Sequence, residues 1–205
     1  MAHRVRLPLA AALLCLALTG CGAATGAPTA TAPSSTAAPS VAPTAAPAPS
    51  ATATPMPASE PVRVRIPAAG VDASPVLKLG LAADGTVEVP SVADADRIGW
   101  YTKGVTPGET GPAVLIGHFD TARGPAVLKD VSRVRTGEEI TVSRADGTAA
   151  VFRVRELEQV GKKEFPTEKV YGNTARPELR VITCGGEITD GHRPDNIILY
   201  ADLVG

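Results

Sequence analysis

Short runs of alternating apolar and polar residues dominate the chain from about residue 61 onward. Residues 62–66 alternate cleanly before Pro67, and two longer alternating runs flank Asp146-Gly147, the strongest hairpin signal in the chain. Continuous apolar runs, typical of strands buried on both faces, occupy residues 112–118, 179–184 and 196–203. The pattern predicts a mostly β domain, with an antiparallel barrel or sandwich as its architecture.

Weaker signals predict three smaller elements between these strands. Residues 86–89 have the pattern of a short strand that stops at Pro90. Residues 126–134 are compatible with a helical turn or two. Residues 166–171 are compatible with a short helix that ends at Gly172.

The first 20 residues have the features of an export signal. Basic residues near the start precede an apolar run at 7–18, which is shorter than the roughly 20 residues of a membrane span. Leu18-Thr19-Gly20-Cys21 resembles a bacterial lipoprotein box, which implies cleavage before Cys21 and a diacylglycerol on its sulfur. Two acyl chains give stable anchoring. The alternative is an ordinary secretory signal followed by a chance cysteine.

Composition divides the remaining chain into a linker and one domain. Residues 21–60 are almost only Ala, Pro, Thr and Ser, which bury too little apolar surface to fold, so a disordered, lipid-anchored linker is expected. It is either a stalk or a simple tether. Residues 61–205, a length of 205 − 60 = 145, suffice for one domain with its own core.

Charge and ligand spacing exclude several classes of function. The net charge is −1, from 20 basic and 21 acidic residues without a basic block, so nucleic-acid binding has no electrostatic support. His118 and Asp120 are only two possible ligands, and no other cluster has ligand spacing, so no metal and no cofactor are expected.

Cys184 is the chain's most informative residue, because it is the only cysteine of the predicted domain. An unpaired thiol in an exported protein is either an inert buried side chain or a reagent. A cysteine nucleophile needs an acid/base and a donor for the developing oxyanion. His118 and Arg193 supply one candidate of each kind at predicted strand ends.

Two other residues compete for these roles. Arg180 shares strand parity with Cys184 but lies four residues away, about 13 Å along a strand, which favours a structural ion pair. His192 lies in a loop without a strand behind it, which favours a solvated side chain or one that lines the substrate entrance. Thr183, Asp120 and His192 are the candidate substrate-binding residues. Asp120 alternatively orients the His118 ring or forms a turn, and Thr183 alternatively packs within the strand.

Several motifs together resemble class F sortases of actinobacteria. They are Gly117-His118-Phe119-Asp120, Phe165-Pro166-Thr167, Val170-Tyr171-Gly172, the run 177–186 around Thr183-Cys184 and the closing run 195–201. The resemblance covers residues 61–205 and implies a closed, eight-stranded β-barrel. It also implies a Cys–His–Arg site, with Cys184 as nucleophile, His118 as general acid/base and Arg193 as the donor to the substrate carbonyl or its oxyanion.

The function implied by this resemblance is that of a cysteine transpeptidase at the cell surface. Such enzymes cleave a sorting signal similar to LPxTG through a thioacyl-enzyme and pass the acyl group to an amine, such as a peptidoglycan stem peptide. The implied location is extracytoplasmic, with the membrane reached through the lipid anchor. Three alternatives remain open: hydrolysis by the same chemistry, a non-catalytic lipoprotein that binds peptide or glycan, and an L,D-transpeptidase. The sequence lacks the Ser-His-Gly-Cys element that is expected of an L,D-transpeptidase.

Overall fold

A computed structural model describes residues 53–205. The expected signal peptide, Cys21 and most of the expected linker lie outside the described residues. Within 53–205, no helix has the length and apolar character needed to cross a membrane.

The described residues form eleven β-strands and one short α-helix. Four 3₁₀ turns of three residues each lie in the connections between these elements. The strands are β1 (Pro61–Ile66), β2 (Val71–Ala73), β3 (Leu77–Leu79), β4 (Ile98–Tyr101), β5 (Gly111–Gly117), β6 (Asp120–Thr121), β7 (Gly124–Pro125), β8 (Glu139–Arg144), β9 (Ala149–Gly161), β10 (Pro177–Gly185) and β11 (Asp195–Leu203). The helix α1 spans Thr167–Tyr171 and precedes β10.

Nine of these strands form one sheet in the order β2-β1-β8-β9-β11-β10-β5-β4-β3. Most neighbours are antiparallel, but β5 pairs with β10 and β3 pairs with β4 in parallel. The strands β6 and β7 form a separate small hairpin beyond the end of β5. The described residues show no ladder between the terminal strands β2 and β3.

One apolar cluster draws on strands from both halves of the sheet, so the sheet must curl around it. Val64, Val142 and Phe152 of β1, β8 and β9 belong to the same buried cluster as Leu115 and Val181 of β5 and β10. A flat sheet cannot bring strands this far apart in its order together. The curled sheet with few helices confirms the predicted mostly β class.

A second apolar cluster covers the opposite face of β5, β10 and β11. Val114, Ile116 and Ile182 point to this outer face, where they meet Val170 of α1 and Tyr200 of β11. These three strands are therefore buried on both faces, which explains why the sequence shows continuous apolar runs there.

The last residues of the predicted linker pack on the domain. The backbone N–H of Met56 donates to the carbonyl of Gly108 at 2.8 Å, and Arg144 donates to the carbonyl of Pro57. Met56 also contacts the inner apolar cluster. The packed part of the chain thus begins before Pro61.

Two of the smaller predicted elements differ in the structure. Residues 86–89 form only an isolated bridge, between Val87 and Leu81, flanked by backbone hydrogen bonds with residues 80 and 82. Regular helical structure in 126–134 is limited to the 3₁₀ turn Val131–Arg133. The hairpin around Asp146-Gly147 and the short helix α1 are present as predicted.

A buried carboxylate, Glu178, joins three arginines at the start of β10. Its oxygens accept hydrogen bonds from Arg176 and Arg180 at 2.9 and 2.7 Å and form an ion pair with Arg155 at 2.8 Å. Glu178 and Arg180 are 4% and 1% exposed. Burial opposes ionisation of Glu178, but the three guanidinium groups outweigh it and hold its pKa below the ordinary value. Burial also lowers the pKa of Arg180, against the pull of Glu178.

We expect Glu178→Gln to lower the free energy of unfolding by about 3 kcal/mol, because it leaves buried arginine charge without its counter-charge. Since the folded-state pKa of Glu178 is lowered, its contribution is present above the unfolded value near 4.3 and is lost as pH falls through the folded value. Denaturant titrations at pH 7 and at decreasing pH measure both effects.

The matched control is Glu139→Gln, which removes an exposed pair with Arg153 and should change stability by less than about 0.5 kcal/mol. Equal losses for the two variants would contradict a special role for Glu178.

Candidate active site

The parallel ladder between β5 and β10 brings His118 and Cys184 together. Its register pairs Val181 with Leu115 and Ile182 with Ile116. Two further steps along both strands place Cys184 opposite His118, which immediately follows β5. Side chains alternate along a strand, so both residues lie on the outer face shared by Ile116 and Ile182.

The backbone around His118 is fixed by close packing and by hydrogen bonds. A Cβ on Gly117 would approach the side chain of Leu128 to 2.9 Å, so only glycine allows this contact. The carbonyl of His118 accepts a hydrogen bond from the N–H of Leu128 at 2.9 Å. His118 is thereby anchored although it lies just outside the strand.

The His118 ring is oriented by a backbone carbonyl. Its Nε2 lies 2.6 Å from the carbonyl oxygen of Pro90, a buried residue 28 positions earlier in the chain. Because a carbonyl oxygen only accepts hydrogen bonds, Nε2 carries a proton. Nδ1 is therefore the ring nitrogen that can gain and lose a proton.

Cys184 is the free cysteine of the described residues and is partly exposed. Its neighbour Thr183 points to the opposite face and is 3% exposed. The Thr183 Oγ1 is one of two buried side-chain polar atoms within residues 53–205 that have no hydrogen-bond partner. A buried unsatisfied hydroxyl is costly, so this atom is unusual for a structural residue.

His118, Cys184 and Thr183 all line one groove of about 1400 Å³. Its walls are mainly apolar and come from the segment before β4, from β5 and β10, and from the segment around α1. The apolar members are Leu81, Val87, Val89, Tyr101, Val105, Val114, Ile116, Phe165, Tyr171 and Ile182. The volume exceeds the roughly 300–1,000 Å³ of small-molecule pockets, and it suits an extended peptide.

Aromatic side chains form one wall of this groove. The Tyr171 ring packs edge-on against Tyr101 at 6.2 Å and beside Phe165 at 6.1 Å. Burial, with a smaller contribution from Tyr101, raises the pKa of Tyr171. The wall therefore presents apolar ring surface to the groove.

Arg193 is not among the residues that line the groove; it is bonded to Asp120 and to the loop that follows Cys184. Its Nε and Nη2 donate to Asp120 Oδ2 at 2.9 and 2.6 Å, and its Nη1 donates to the carbonyl of Gly186. The guanidinium carbon lies 4.3 Å above the centre of the Phe119 ring. The hydrogen bond to Asp120 raises the pKa of Arg193, and the nearby Cys184 adds to the shift.

The other sequence candidates lie outside this constellation. His192 is exposed and does not line the groove, although its backbone pairs with that of Thr189. Arg180 is buried against Glu178, far along β10 from Cys184. Across 53–205, no group of three or more His, Cys, Asp or Glu side chains is arranged to hold a metal ion.

The sortase domain family matches residues 64–204, most of the chain. This chain belongs to the sortase family. No curated protein sequence matches it at a significant level.

Solved sortase structures share the fold of this sortase at low sequence identity. Sortase C-1 of Actinomyces oris is 20% identical with a TM-score of 0.55, over 71% of this chain and 76% of that chain. Sortase D5 of Clostridium perfringens is 18% identical with a TM-score of 0.52, over 71% and 79% of the two chains. A lid mutant of Streptococcus agalactiae sortase C1 is 14% identical with a TM-score of 0.54, over 70% and 67%.

Two contacts of this site have no signal in the sequence of the sortase. Pro90 was expected only to end a strand, and its carbonyl instead orients His118. Asp120 and Arg193 are 73 residues apart, and the sequence indicated a ring-orienting, turn-forming or substrate-binding role for Asp120. The sequence shows that Asp120 follows His118 by two residues, but it does not show that Asp120 binds Arg193.

Proposed function

We propose that this sortase is a cysteine transpeptidase of class F that cleaves an LPxTG-like sorting signal and transfers the acyl part to an amine. The observation that carries this proposal is the opposed position of His118 and Cys184 at the ends of two parallel strands, on one face and in one groove. Nucleophile and acid/base must be neighbours for such chemistry.

The reaction proceeds in two balanced halves. The Cys184 sulfur, as thiolate, attacks the scissile carbonyl carbon, and the tetrahedral intermediate collapses to a thioester as the leaving amine takes a proton from His118. An acceptor amine then attacks the thioester and gives a proton to His118, and a new amide forms as the Cys184 thiolate leaves. Covalent catalysis accelerates such a reaction because it divides one difficult step into two easier ones.

His118 carries the proton at Nδ1. Its Nε2–H is engaged by the Pro90 carbonyl, which leaves Nδ1 for exchange with the leaving and entering amines. Histidine suits this role because it titrates near neutral pH.

Arg193 supplies hydrogen bonds to the substrate carbonyl and to the oxyanion that develops from it. Its hydrogen bonds to Asp120, two residues after His118, and to the Gly186 carbonyl, two residues after Cys184, support a fixed positive charge near the ends of β5 and β10. A preorganised donor of this kind stabilises the transition state more than the substrate.

Thr183 is the proposed direct contact to the peptide backbone. Thr183 is one of the residues that line the groove next to Cys184, and its buried hydroxyl has no partner within residues 53–205, so a peptide group that reaches this hydroxyl would satisfy it. Asp120 is already engaged by Arg193, and His192 is exposed outside the groove, so neither supports a similar assignment.

The apolar, aromatic-walled groove supports a peptide substrate with apolar residues before the scissile bond. A peptidoglycan stem peptide is the proposed amine acceptor. The proposed location is the outer surface of the cell membrane, with residues 61–205 carried on a linker of residues 21–60 from a lipidated Cys21, after removal of residues 1–20.

Hydrolysis is the second candidate outcome, because water can resolve the same thioester. A non-catalytic peptide-binding lipoprotein is the third, and it requires an unreactive Cys184. The partly exposed thiol facing the groove favours the catalytic alternatives.

A panel of internally quenched sorting-signal peptides tests the proposal. We expect cleavage of at least one LPxTG-like peptide and, with an added amine such as triglycine, formation of the transfer product. Cys184→Ala should abolish turnover, and His118→Ala should lower kcat by about 10²-fold or more. Mass spectrometry of the products separates transfer from hydrolysis.

The folded state of each variant is checked by thermal unfolding, which should match the parent protein. A folded parent that cleaves no peptide of the panel, or a Cys184→Ala variant that retains turnover, would contradict the proposed function.

Thr183→Val separates the substrate contact from a structural role. The valine keeps the shape of the side chain and removes the unsatisfied hydroxyl, so stability should stay equal or rise slightly. Loss of one hydrogen bond to the peptide should lower kcat/KM by roughly fivefold to tenfold. Parallel unfolding and kinetic measurements give the two effects; reduced stability with unchanged kcat/KM would assign Thr183 to packing alone.

A further inference from the structure

The Arg193 guanidinium is surrounded by residues that have no assigned part in the reaction. Two of its N–H groups share one oxygen of Asp120, a third binds the Gly186 carbonyl, and its plane lies over the Phe119 ring. These contacts occupy three of the five N–H donors of an arginine. One donor on each terminal nitrogen remains for a substrate oxygen.

Arg193 needs such support because of where it lies. It belongs to the loop between β10 and β11, outside regular secondary structure. A free arginine side chain samples many rotamers, and this entropy is lost when the side chain is held in one geometry. A donor to an oxyanion is effective only if it is fixed before the charge develops.

Asp120 lies on a segment that is well suited to provide this support. It opens the β6–β7 hairpin, two residues after His118. Backbone hydrogen bonds tie Phe119 to Ala126 at 3.0 Å and His118 to Leu128 at 2.9 Å. One short, anchored segment therefore carries both the acid/base candidate and the carboxylate that binds Arg193.

We propose that Asp120 is a positioning residue that holds Arg193 beside Cys184, with its two remaining donors available to the carbonyl oxygen of the bound peptide. The inference rests on the proposed function, in which Arg193 is the oxyanion donor. Asp120 itself touches neither the peptide nor the reacting atoms. It acts on the reaction only through the guanidinium.

A role through His118 is less consistent with the contacts. The Nε2 of His118 is bonded to the Pro90 carbonyl, whereas Asp120 Oδ2 receives both of its hydrogen bonds from Arg193. The carboxylate is thus committed to the arginine rather than to the imidazole.

The position of Arg193 can be measured without turnover, from the charge that Cys184 experiences. A guanidinium held beside the sulfur speeds alkylation by anionic iodoacetate relative to neutral iodoacetamide. Both rates are measured on the full chain, with peptide mapping to follow Cys184 alone. The ratio of the two rates reports the local field.

Asp120→Ala should lower this ratio by about threefold or more, because Arg193 is released from the sulfur. Removal of a negative charge alone would raise the ratio, so the sign of the change separates the two effects. Arg193→Ala should also lower it. In the Arg193→Ala background, Asp120→Ala should no longer lower the ratio. A ratio that rises in the single Asp120→Ala variant would overturn the proposal.

A kinetic cycle provides the second readout, with a quenched peptide that contains Leu-Pro-Glu-Thr-Gly. Asp120→Ala should reduce kcat by roughly tenfold to hundredfold with a smaller change in KM, since misplaced catalytic groups cost about this much. The double variant with Arg193→Ala should be no slower than Arg193→Ala alone. Additive losses would contradict action through Arg193.

Asp120→Asn is a conservative variant that separates the positioning role from a folding defect, because it keeps the side-chain size and one hydrogen-bond acceptor. It should give a loss of kcat between those of the parent protein and Asp120→Ala. Asp72→Ala is the matched control, since Asp72 also binds an arginine, Arg63, but lies outside the groove. It should leave kcat and the alkylation ratio unchanged. Failure of the parent protein to cleave the peptide would count against the proposed function, while the alkylation ratio would still decide the positioning role.

Discussion

The parallel pairing of β5 with β10 is the constraint on which the candidate site depends. Its register sets Ile116 against Ile182, and the next outward-facing residues on the two strands are His118 and Cys184. Because side chains alternate, a slip of one residue in either strand would turn one of them into the inner core. Both strands are buried on both faces, so such a slip would also exchange side chains between the two apolar clusters and disrupt the packing of each.

Around this fixed pair, the other site residues are held by contacts from less regular segments. A backbone carbonyl at Pro90 sets the proton position on His118, and the β6–β7 hairpin holds Arg193 through Asp120. The loop residue Gly186 has a φ of +80°, a conformation that favours glycine, and its carbonyl accepts a hydrogen bond from Arg193. The sheet thus places His118 and Cys184 opposite each other, and the adjoining loops orient the His118 ring and the Arg193 guanidinium.

Much of the sheet could be predicted from local pattern. The apolar runs at β5, β10 and β11 and the Asp146-Gly147 hairpin follow directly from burial and from turn chemistry. The candidate nucleophile and acid/base could also be predicted, since Cys184 and His118 end two of these runs. The family match at 64–204 supports the fold that the motifs implied.

The parts that sequence reasoning missed depend on contacts between distant residues. The expected strand at 86–89 had the right residue types, but its segment pairs only with residues 80–82, through one bridge and two backbone hydrogen bonds. The pairing of Asp120 with Arg193 and of Pro90 with His118 joins positions 73 and 28 residues apart. Arg180 does form the structural ion pair expected for it, but its partner Glu178 was not predicted. None of these partners is specified by periodicity, because each depends on how loops fold back onto the sheet.

The central claim is that Cys184 forms the acyl-enzyme in this groove, and rapid-quench mass spectrometry tests it most directly. The folded full chain is mixed with excess sorting-signal peptide, stopped in acid within the first turnover, and mapped by proteolysis. We expect an adduct with the mass of the acyl fragment on Cys184, which hydroxylamine removes as it does a thioester and which is missing in Cys184→Ala. Peptide cleavage without any adduct on Cys184, or an adduct on another residue, would contradict it.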